Sequence, residues 1–335
     1  MQRCIQLAAN GLGSVSTNPM VGCVVVYNDV IIGEGYHQKY GQAHAEVNAI
    51  NNVADKSLLP QSTLYVNLEP CAHYGKTPPC ADLITHHKIQ RVVIGTVDTF
   101  SQVAGKGIEK LQNAGIEVKV GVLEQECRAL NRRFFCYNEK KRPFVVLKWA
   151  QTTDGFMGRG EEGNSLDKRI SHPQTDVLVH RWRTEEDAIL VGKNTALLDS
   201  PSLTARLWQG RNPVRVLLDF NLEVPTQQPL FNSEAKTIVV NSKKTAQEGT
   251  VFYEQAENTI PAILEILYRH NIQSVIVEGG AATLQRFIAA DLWDEARIIT
   301  AQKMWGAGIK APTLLGTTIN QLIIEDDSIN IIAHS

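Results

Sequence analysis

Hydrophobic positions along this chain fall into two rhythms: short apolar runs of strand length, and longer stretches with one apolar face. The first stretch, through Ile5, Leu7 and Ala8, predicts a helix ending near Gly11-Leu12-Gly13. Two apolar runs, 23–26 and 30–32, flank Tyr27-Asn28-Asp29 and read as a hairpin. A helical stretch Val47-Asn48-Ala49-Ile50 follows, then a strand, Thr63-Leu64-Tyr65-Val66-Asn67. A helix through Leu83 and Ile84 precedes the strand Val92-Val93-Ile94-Gly95. Gly105-Lys106-Gly107 opens another helix, 118–120 is a strand, and one helix spans 124–134. Alternation of this kind predicts a sheet covered by helices.

The polar run Asn138-Glu139-Lys140-Lys141-Arg142-Pro143 reads as a junction, with a fresh strand, Phe144-Val145-Val146-Leu147-Lys148, behind it. Two domains are expected, 1–143 and 144–335. The second half alternates again, with apolar strands at 188–191, 214–219, 237–240 and 274–278. The last of these leads into Gly279-Gly280-Ala281-Ala282-Thr283-Leu284, a glycine pair opening a helix. Such a turn can present N–H groups to a phosphate, although a tight structural turn is the default, and no G-x-G-x-x-G is present.

Composition narrows the class. The 335 residues, 43% hydrophobic and 20% charged, suit a globular protein with two cores. A formal net charge of −2 gives no electrostatic case for nucleic acid or an anionic membrane. No apolar run is long enough to span a bilayer and no targeting signal is visible. Of six cysteines, Cys4, Cys23, Cys127 and Cys136 read as reduced core thiols, which places the chain in the cytoplasm.

The other two cysteines carry the chemistry. His44-Ala45-Glu46 is followed by Pro70-Cys71 and, with eight residues between, by Cys80. One imidazole and two thiolates form the ligand set of a zinc nucleobase deaminase, which leaves one tetrahedral position open. Glu46 is then the proton shuttle, since residues two apart on a helix point about 200° apart and only one can bind squarely. Cys71 follows a strand, and Pro79 suits the start of a helix at Cys80, where thiolate is favoured over thiol. A closed structural site, with His73 as fourth ligand, is the competing reading.

Over nearly its whole length the chain resembles the bifunctional riboflavin-biosynthesis family, a diaminohydroxyphosphoribosylaminopyrimidine deaminase fused to a 5-amino-6-(5-phosphoribosylamino)uracil reductase. The resemblance rests on Asn18-Pro19-Met20-Val21-Gly22, Gly33-Glu34-Gly35-Tyr36-His37, His44-Ala45-Glu46-Val47, Leu68-Glu69-Pro70-Cys71, Gly75-Lys76-Thr77-Pro78-Pro79-Cys80 and Val103-Ala104-Gly105-Lys106-Gly107. In the second half it rests on Leu147-Lys148-Trp149-Ala150, Thr153-Asp154-Gly155, Ala188-Ile189-Leu190-Val191-Gly192, Pro201-Ser202-Leu203-Thr204 and Val277-Glu278-Gly279-Gly280. It implies an N-terminal cytidine-deaminase-like α/β/α sandwich and a C-terminal dihydrofolate-reductase-like α/β domain. It also implies Zn²⁺ and NADPH as cofactors, a phosphoribosylated pyrimidine as substrate, and a homo-oligomer, dimeric or tetrameric.

By the same resemblance His44, Cys71 and Cys80 hold the metal and Glu46 is catalytic, while Asn18, His37, His73, Lys76 and Asp98 meet the deaminase substrate. Ala150, Thr195, Asp199, Gly280, Ala281, Ala282, Thr283 and Leu284 face the reductase cofactor. Lys148, Asp167, Arg183, Leu203, Arg206 and Glu278 face its substrate. Two segments depart from the family pattern: Phe100 stands where an Asn is common, and Arg169-Ile170-Ser171 replaces a Trp-Ile-Thr. The alternative is a nucleoside or tRNA deaminase with an unrelated second domain, and a third reading is a zinc-stabilised binding protein without turnover.

Overall fold

A computed structural model describes residues 1–74, 78–99, 104–159 and 169–334. The chain divides into two compact units, Met1–Lys141 and Arg142–Ser335, each with its own apolar core.

In the first unit, α1 (Gln2–Ala9) precedes the hairpin of β1 (Gly22–Tyr27) and β2 (Val30–Tyr36). The hairpin turns on Asn28 and Asn28's neighbour Asp29, both with positive φ, which suits the twist of a two-residue connection. Then follow α2 (Ala45–Asn51), β3 (Thr63–Leu68), α3 (Cys80–His86), β4 (Arg91–Thr96), α4 (Lys106–Asn113), β5 (Glu117–Val120), α5 (Glu124–Leu130) and α6 (Arg132–Lys140). The sheet order is β2-β1-β3-β4-β5, antiparallel through β3 and parallel beyond it. Val25, Leu64, Val66, Val92 and Ile94 point into one core with Ala49, Ile50 and Ile84 of the covering helices. Close approach of α2 to β2 depends on a missing side chain: a Cβ on Gly35 would stand 2.6 Å from the Ala49 nitrogen.

Two expectations need correcting here. The stretch 124–134 is not one helix, because the chain breaks at Asn131. The buried Asn131 amide donates to the Met20 carbonyl and accepts from the Met20 N–H, both at 2.8 Å, and that pairing takes precedence over helical continuity. The polar run at 138–143 is likewise helical as far as Lys140, with Lys141 turning the chain in a left-handed conformation.

The second unit contains β6 (Phe144–Thr152), β7 (Phe156–Gly158), α7 (Pro173–Glu185), β8 (Ala188–Gly192), α8 (Lys193–Asp199), β9 (Val214–Leu218), β10 (Thr237–Asn241), β11 (Ala246–Glu248) and β12 (Val251–Gln255). It ends with α9 (Ile260–Arg269), β13 (Ser274–Val277), α10 (Ala281–Ala289), β14 (Glu295–Ala301), β15 (Ile309–Lys310), β16 (Thr317–Ile324) and β17 (Asp327–Ala333). Ten strands form one sheet in the order β11-β12-β10-β9-β8-β13-β6-β14-β17-β16. The seven from β12 to β14 are parallel, and β11, β17 and β16 are antiparallel additions at the edges. The parallel strands are buried on both sides, which is why their sequences are continuously apolar.

Candidate active sites

The first site is assembled by α2, α3 and the chain beyond β3. His44 is the residue before α2, in extended backbone, and turns its Nδ1 toward two sulfurs: Cys71 Sγ at 3.6 Å and Cys80 Sγ at 3.3 Å. All three donor atoms lie within 4.8 Å of one another. Zn–S and Zn–N bonds of about 2.3 and 2.0 Å place the ligand atoms of a tetrahedron roughly 3.5–3.8 Å apart, so the set fits zinc without rearrangement. The donors themselves, two thiolates and an imidazole, are a zinc set. Among the described residues no fourth protein donor joins the group. His73, the fourth ligand that a closed site would require, is exposed and outside it.

Local electrostatics favour charge on one of the two sulfurs. The first N–H of α3, on Cys80, donates to Cys71 Sγ at 3.3 Å. The two thiols act as a unit: a hydrogen bond from Cys80 pulls the Cys71 thiol well down, and the charge so formed holds the Cys80 proton more tightly. A divalent cation at the site would bring the second sulfur to its charged form as well. Glu46, only 3% exposed, sits within hydrogen-bonding range of Cys80 Sγ. Burial first, then the Cys71 charge, push its carboxyl up to about 7. A proton carrier near neutrality beside a metal set is what general acid–base work needs, and a nearby cation would draw that value down.

Asn18 and His37 adjoin the same histidine. The His37 and His44 rings meet edge to face with centroids 5.5 Å apart. His37 Nδ1 lies 3.1 Å from the Ala43 carbonyl, which only accepts, so the proton is on Nδ1. Nε2 therefore accepts from the Asn18 amide at 3.1 Å, and the Asn18 oxygen is left to face a ligand N–H. Segment 20–22 beside Asn18 is pinned by buried asparagines: Asn67 bonds Gly22 N–H at 2.7 Å and the Met20 carbonyl at 3.0 Å, and Asn131 adds its pair. Asp98 is buried just past β4. Lys76 lies outside the described residues, as do Asp167, Val103 and Phe100.

One residue that sequence reasoning passed over organises the far wall. The buried Glu69 carboxylate accepts four main-chain N–H groups: Gly107 at 2.8 Å, Gly105 at 3.0 Å, Asp98 at 3.2 Å and Ile108 at 3.3 Å. A carboxylate satisfied this fully is a structural tie between the Cys71 segment, the Asp98 segment and the start of α4. Its only signal in the sequence was its place beside Pro70-Cys71.

The second site gathers at the carboxyl ends of the parallel strands, where open α/β sheets bind ligands. Glu278 follows β13, and Lys148 comes from the adjacent β6. Glu278 takes a forked grip from Arg183 of α7, at 2.8 and 3.1 Å, with Lys148 Nζ at 3.9 Å. Burial alone would raise the Glu278 carboxyl, but Arg183 and Lys148 more than offset it and hold it at about 2. Leu203 and Arg206 lie on the turn after α8, Leu203 buried and Arg206 exposed. Ala150 is on β6, and Asp199 is an exposed residue at the end of α8.

Some of the positions expected to face the cofactor lie together at the starts of α8 and α10. Thr195 Oγ1 accepts the Gly280 N–H at 3.0 Å, which joins the start of α8 to the start of α10. No side chain caps α10, and a Cβ on Gly279 would meet Thr283 Cβ at 2.8 Å. Backbone, rather than side chains, therefore forms this turn, and the uncapped N–H groups at Ala281 and Ala282 suit the diphosphate of a dinucleotide. The departure at Arg169 has a structural partner, since its guanidinium pairs with Asp176.

Comparison with known proteins places both halves. Residues 143–332 match the family described as the RibD C-terminal domain, and residues 1–96 match the cytidine and deoxycytidylate deaminase zinc-binding region. The chain is 40% identical over 317 residues to a riboflavin biosynthesis protein RibD of Aquifex aeolicus, covering 92% of this chain and 88% of that protein. It is 42% identical over 327 residues to the RibD of Bacillus amyloliquefaciens, covering 94% and 86%. Among solved structures it is similar to a diaminohydroxyphosphoribosylaminopyrimidine deaminase/5-amino-6-(5-phosphoribosylamino)uracil reductase of Thermotoga maritima, with a TM-score of 0.90, 38% identity, and 100% and 97% of the two chains covered. It is also similar to Acinetobacter baumannii RibD, at a TM-score of 0.90 and 31% identity, with the same coverage.

Proposed function

Because the chain belongs to the RibD family of riboflavin-biosynthesis proteins, a deaminase fused to a reductase, we propose that its two sites act in sequence on one phosphoribosylated pyrimidine. The first half removes ammonia from 2,5-diamino-6-(5-phosphoribosylamino)pyrimidin-4(3H)-one, giving 5-amino-6-(5-phosphoribosylamino)uracil. The second half reduces the ribosyl group of that product to ribityl. The observation that carries the reading is the three-donor set of His44, Cys71 and Cys80 with a buried carboxyl, Glu46, beside it. A structural zinc site has no use for that carboxyl.

Zinc held by those three residues supplies the Lewis acidity that makes water a nucleophile at neutral pH. Glu46 takes a proton from the attacking water and hands it to the departing amine as the C–O bond forms and the C–N bond breaks. Asn18, with its oxygen freed by His37, holds the base edge, and His73, Lys76 and Asp98 meet the remaining base and the ribose phosphate. In the second half NADPH supplies the hydride. Residues Ala150, Thr195, Asp199 and the Gly280–Leu284 turn hold that cofactor, while Lys148, Asp167, Leu203 and Glu278 hold the open sugar. Arg183 and Arg206 take its phosphate, for which a planar guanidinium is the natural partner. The domain division at about 143 gives each activity a core of its own.

Purified protein given the diaminopyrimidine ribotide should release ammonia and then oxidise NADPH. A strong zinc chelator should stop ammonia release while NADPH oxidation continues when the aminouracil ribotide is supplied directly. Ammonia release from cytidine instead, with none from the ribotide, would overturn the reading in favour of a nucleoside deaminase.

We place the protein in the cytoplasm, a reducing compartment that suits six cysteines all in the free form. Among the described residues no helix is long and apolar enough to cross a membrane. The assembly proposed is a homodimer, on the evidence of β16. It closes one end of the ten-stranded sheet with seven of its eight residues exposed, including Ile319, Leu322 and Ile323, the last at 77%. An open edge with apolar side chains is a template for pairing with a second copy. Light scattering should return twice the 37.1 kDa chain mass, and Ile323→Lys should shift it toward one chain. A single-chain mass for the parent protein would remove the proposal.

A further inference from the structure

His180 belongs to no motif singled out in the sequence, yet it bonds the main chain of Arg206 and feels the charges of Lys148, Arg183 and Glu278. It lies on α7 one turn before Arg183, with its ring buried. Its Nδ1 accepts the main-chain N–H of Arg206 at 2.9 Å, so the ring proton of the neutral form is on Nε2. Arg183 makes the second tie to the same turn, donating to the Thr204 carbonyl at 3.3 Å while its other nitrogens hold Glu278. Immediately before these ties Leu203 adopts φ +56 with its side chain buried. A left-handed leucine persists only where the surroundings hold it, and α7 supplies that hold through His180 and Arg183.

The charge balance fits this role. Among the described residues Lys148, Arg183 and Arg206 oppose the carboxylate of Glu278, an excess suited to a phosphate dianion. Burial first, then Arg183 and Arg206, hold the His180 ring down at about 4, so it stays an acceptor at working pH.

We propose that His180 is a positioning residue for phosphate recognition in the reductase site: through Nδ1 it fixes the 201–206 turn and so aims the Arg206 guanidinium at the substrate. This rests on the assignment of Arg183 and Arg206 to the phosphate. A side-chain oxygen at the place of Nδ1 preserves the contact, which His180→Asn supplies and His180→Gln does not.

The test is steady-state NADPH oxidation with 5-amino-6-(5-phosphoribosylamino)uracil and with its dephosphorylated counterpart. His180→Gln should raise KM for the ribotide about tenfold with kcat within about twofold, and leave KM for NADPH unchanged. His180→Asn should stay within about threefold of the parent. The preference for the phosphorylated substrate should fall in His180→Gln by the same factor as KM rises. Arg206→Ala, run alongside, separates the two layers. No change in ribotide KM there overturns the phosphate assignment and this proposal with it. A raised KM in Arg206→Ala with parent-like His180→Gln overturns His180 alone. Equal impairment of the Asn and Gln variants, or a joint loss of kcat and NADPH binding, overturns it too.

Discussion

Glutamine in place of Glu46 is expected to lower ammonia release by about three orders of magnitude while zinc stays bound at one ion per chain. The substitution keeps the volume and the burial of a side chain only 3% exposed, so the three ligands have no reason to move. It removes the buried carboxyl beside the sulfurs that burial has pushed up to about 7. Both transfers, from water and to the leaving nitrogen, run through that group, and neither can be replaced by an amide. NADPH oxidation with supplied aminouracil ribotide should be unaffected, since it belongs to the other half. Elemental analysis beside the ammonia assay checks both parts, and deamination within tenfold of the parent would sink the shuttle role.

The second large effect concerns Glu278. Glutamine there leaves Arg183 and Lys148 buried without their counter-charge, which costs about 3–5 kcal/mol and should lower reductase turnover at least about 100-fold. The pH dependence has a definite sign. The folded carboxyl sits at about 2 against an ordinary 4.5. Its contribution is therefore complete above pH 4.5 and drains away as pH falls toward 2, amounting to about 3 kcal/mol. All five tryptophans, at 149, 182, 208, 293 and 305, lie in the second unit, so their fluorescence follows its unfolding without interference from the first. Urea midpoints of the parent should fall between pH 4.5 and 3 more steeply than those of Glu278→Gln. Parallel slopes would contradict the assignment.

Much of this was legible in the residues. The parallel strands announced themselves because burial on both faces leaves nothing but apolar side chains, as at 188–191 and 237–240. The metal set was legible because zinc restricts both residue type and number. What escaped notice had other causes. β16 is exposed on both faces, so it has no alternation to detect. The break at Asn131 depends on a partner 111 residues away, which no local pattern records. His180 and Glu69 act on main-chain groups, and main-chain partners leave no trace in side-chain composition. Lys76 and Asp167 are placed by resemblance alone.

Glu69 has a consequence for which substitutions the residues it holds can accept. Residues 98 and 105 are both anchored to the same carboxylate by their amide hydrogens, which every residue except proline carries. At 98 the anchorage is blind to side-chain identity, whereas position 105, at φ +79, also favours glycine. Both ends of the stretch from 98 to 105 are thus held to the first unit's scaffold through their own backbone, by a carboxylate that lies next to the Cys71 segment.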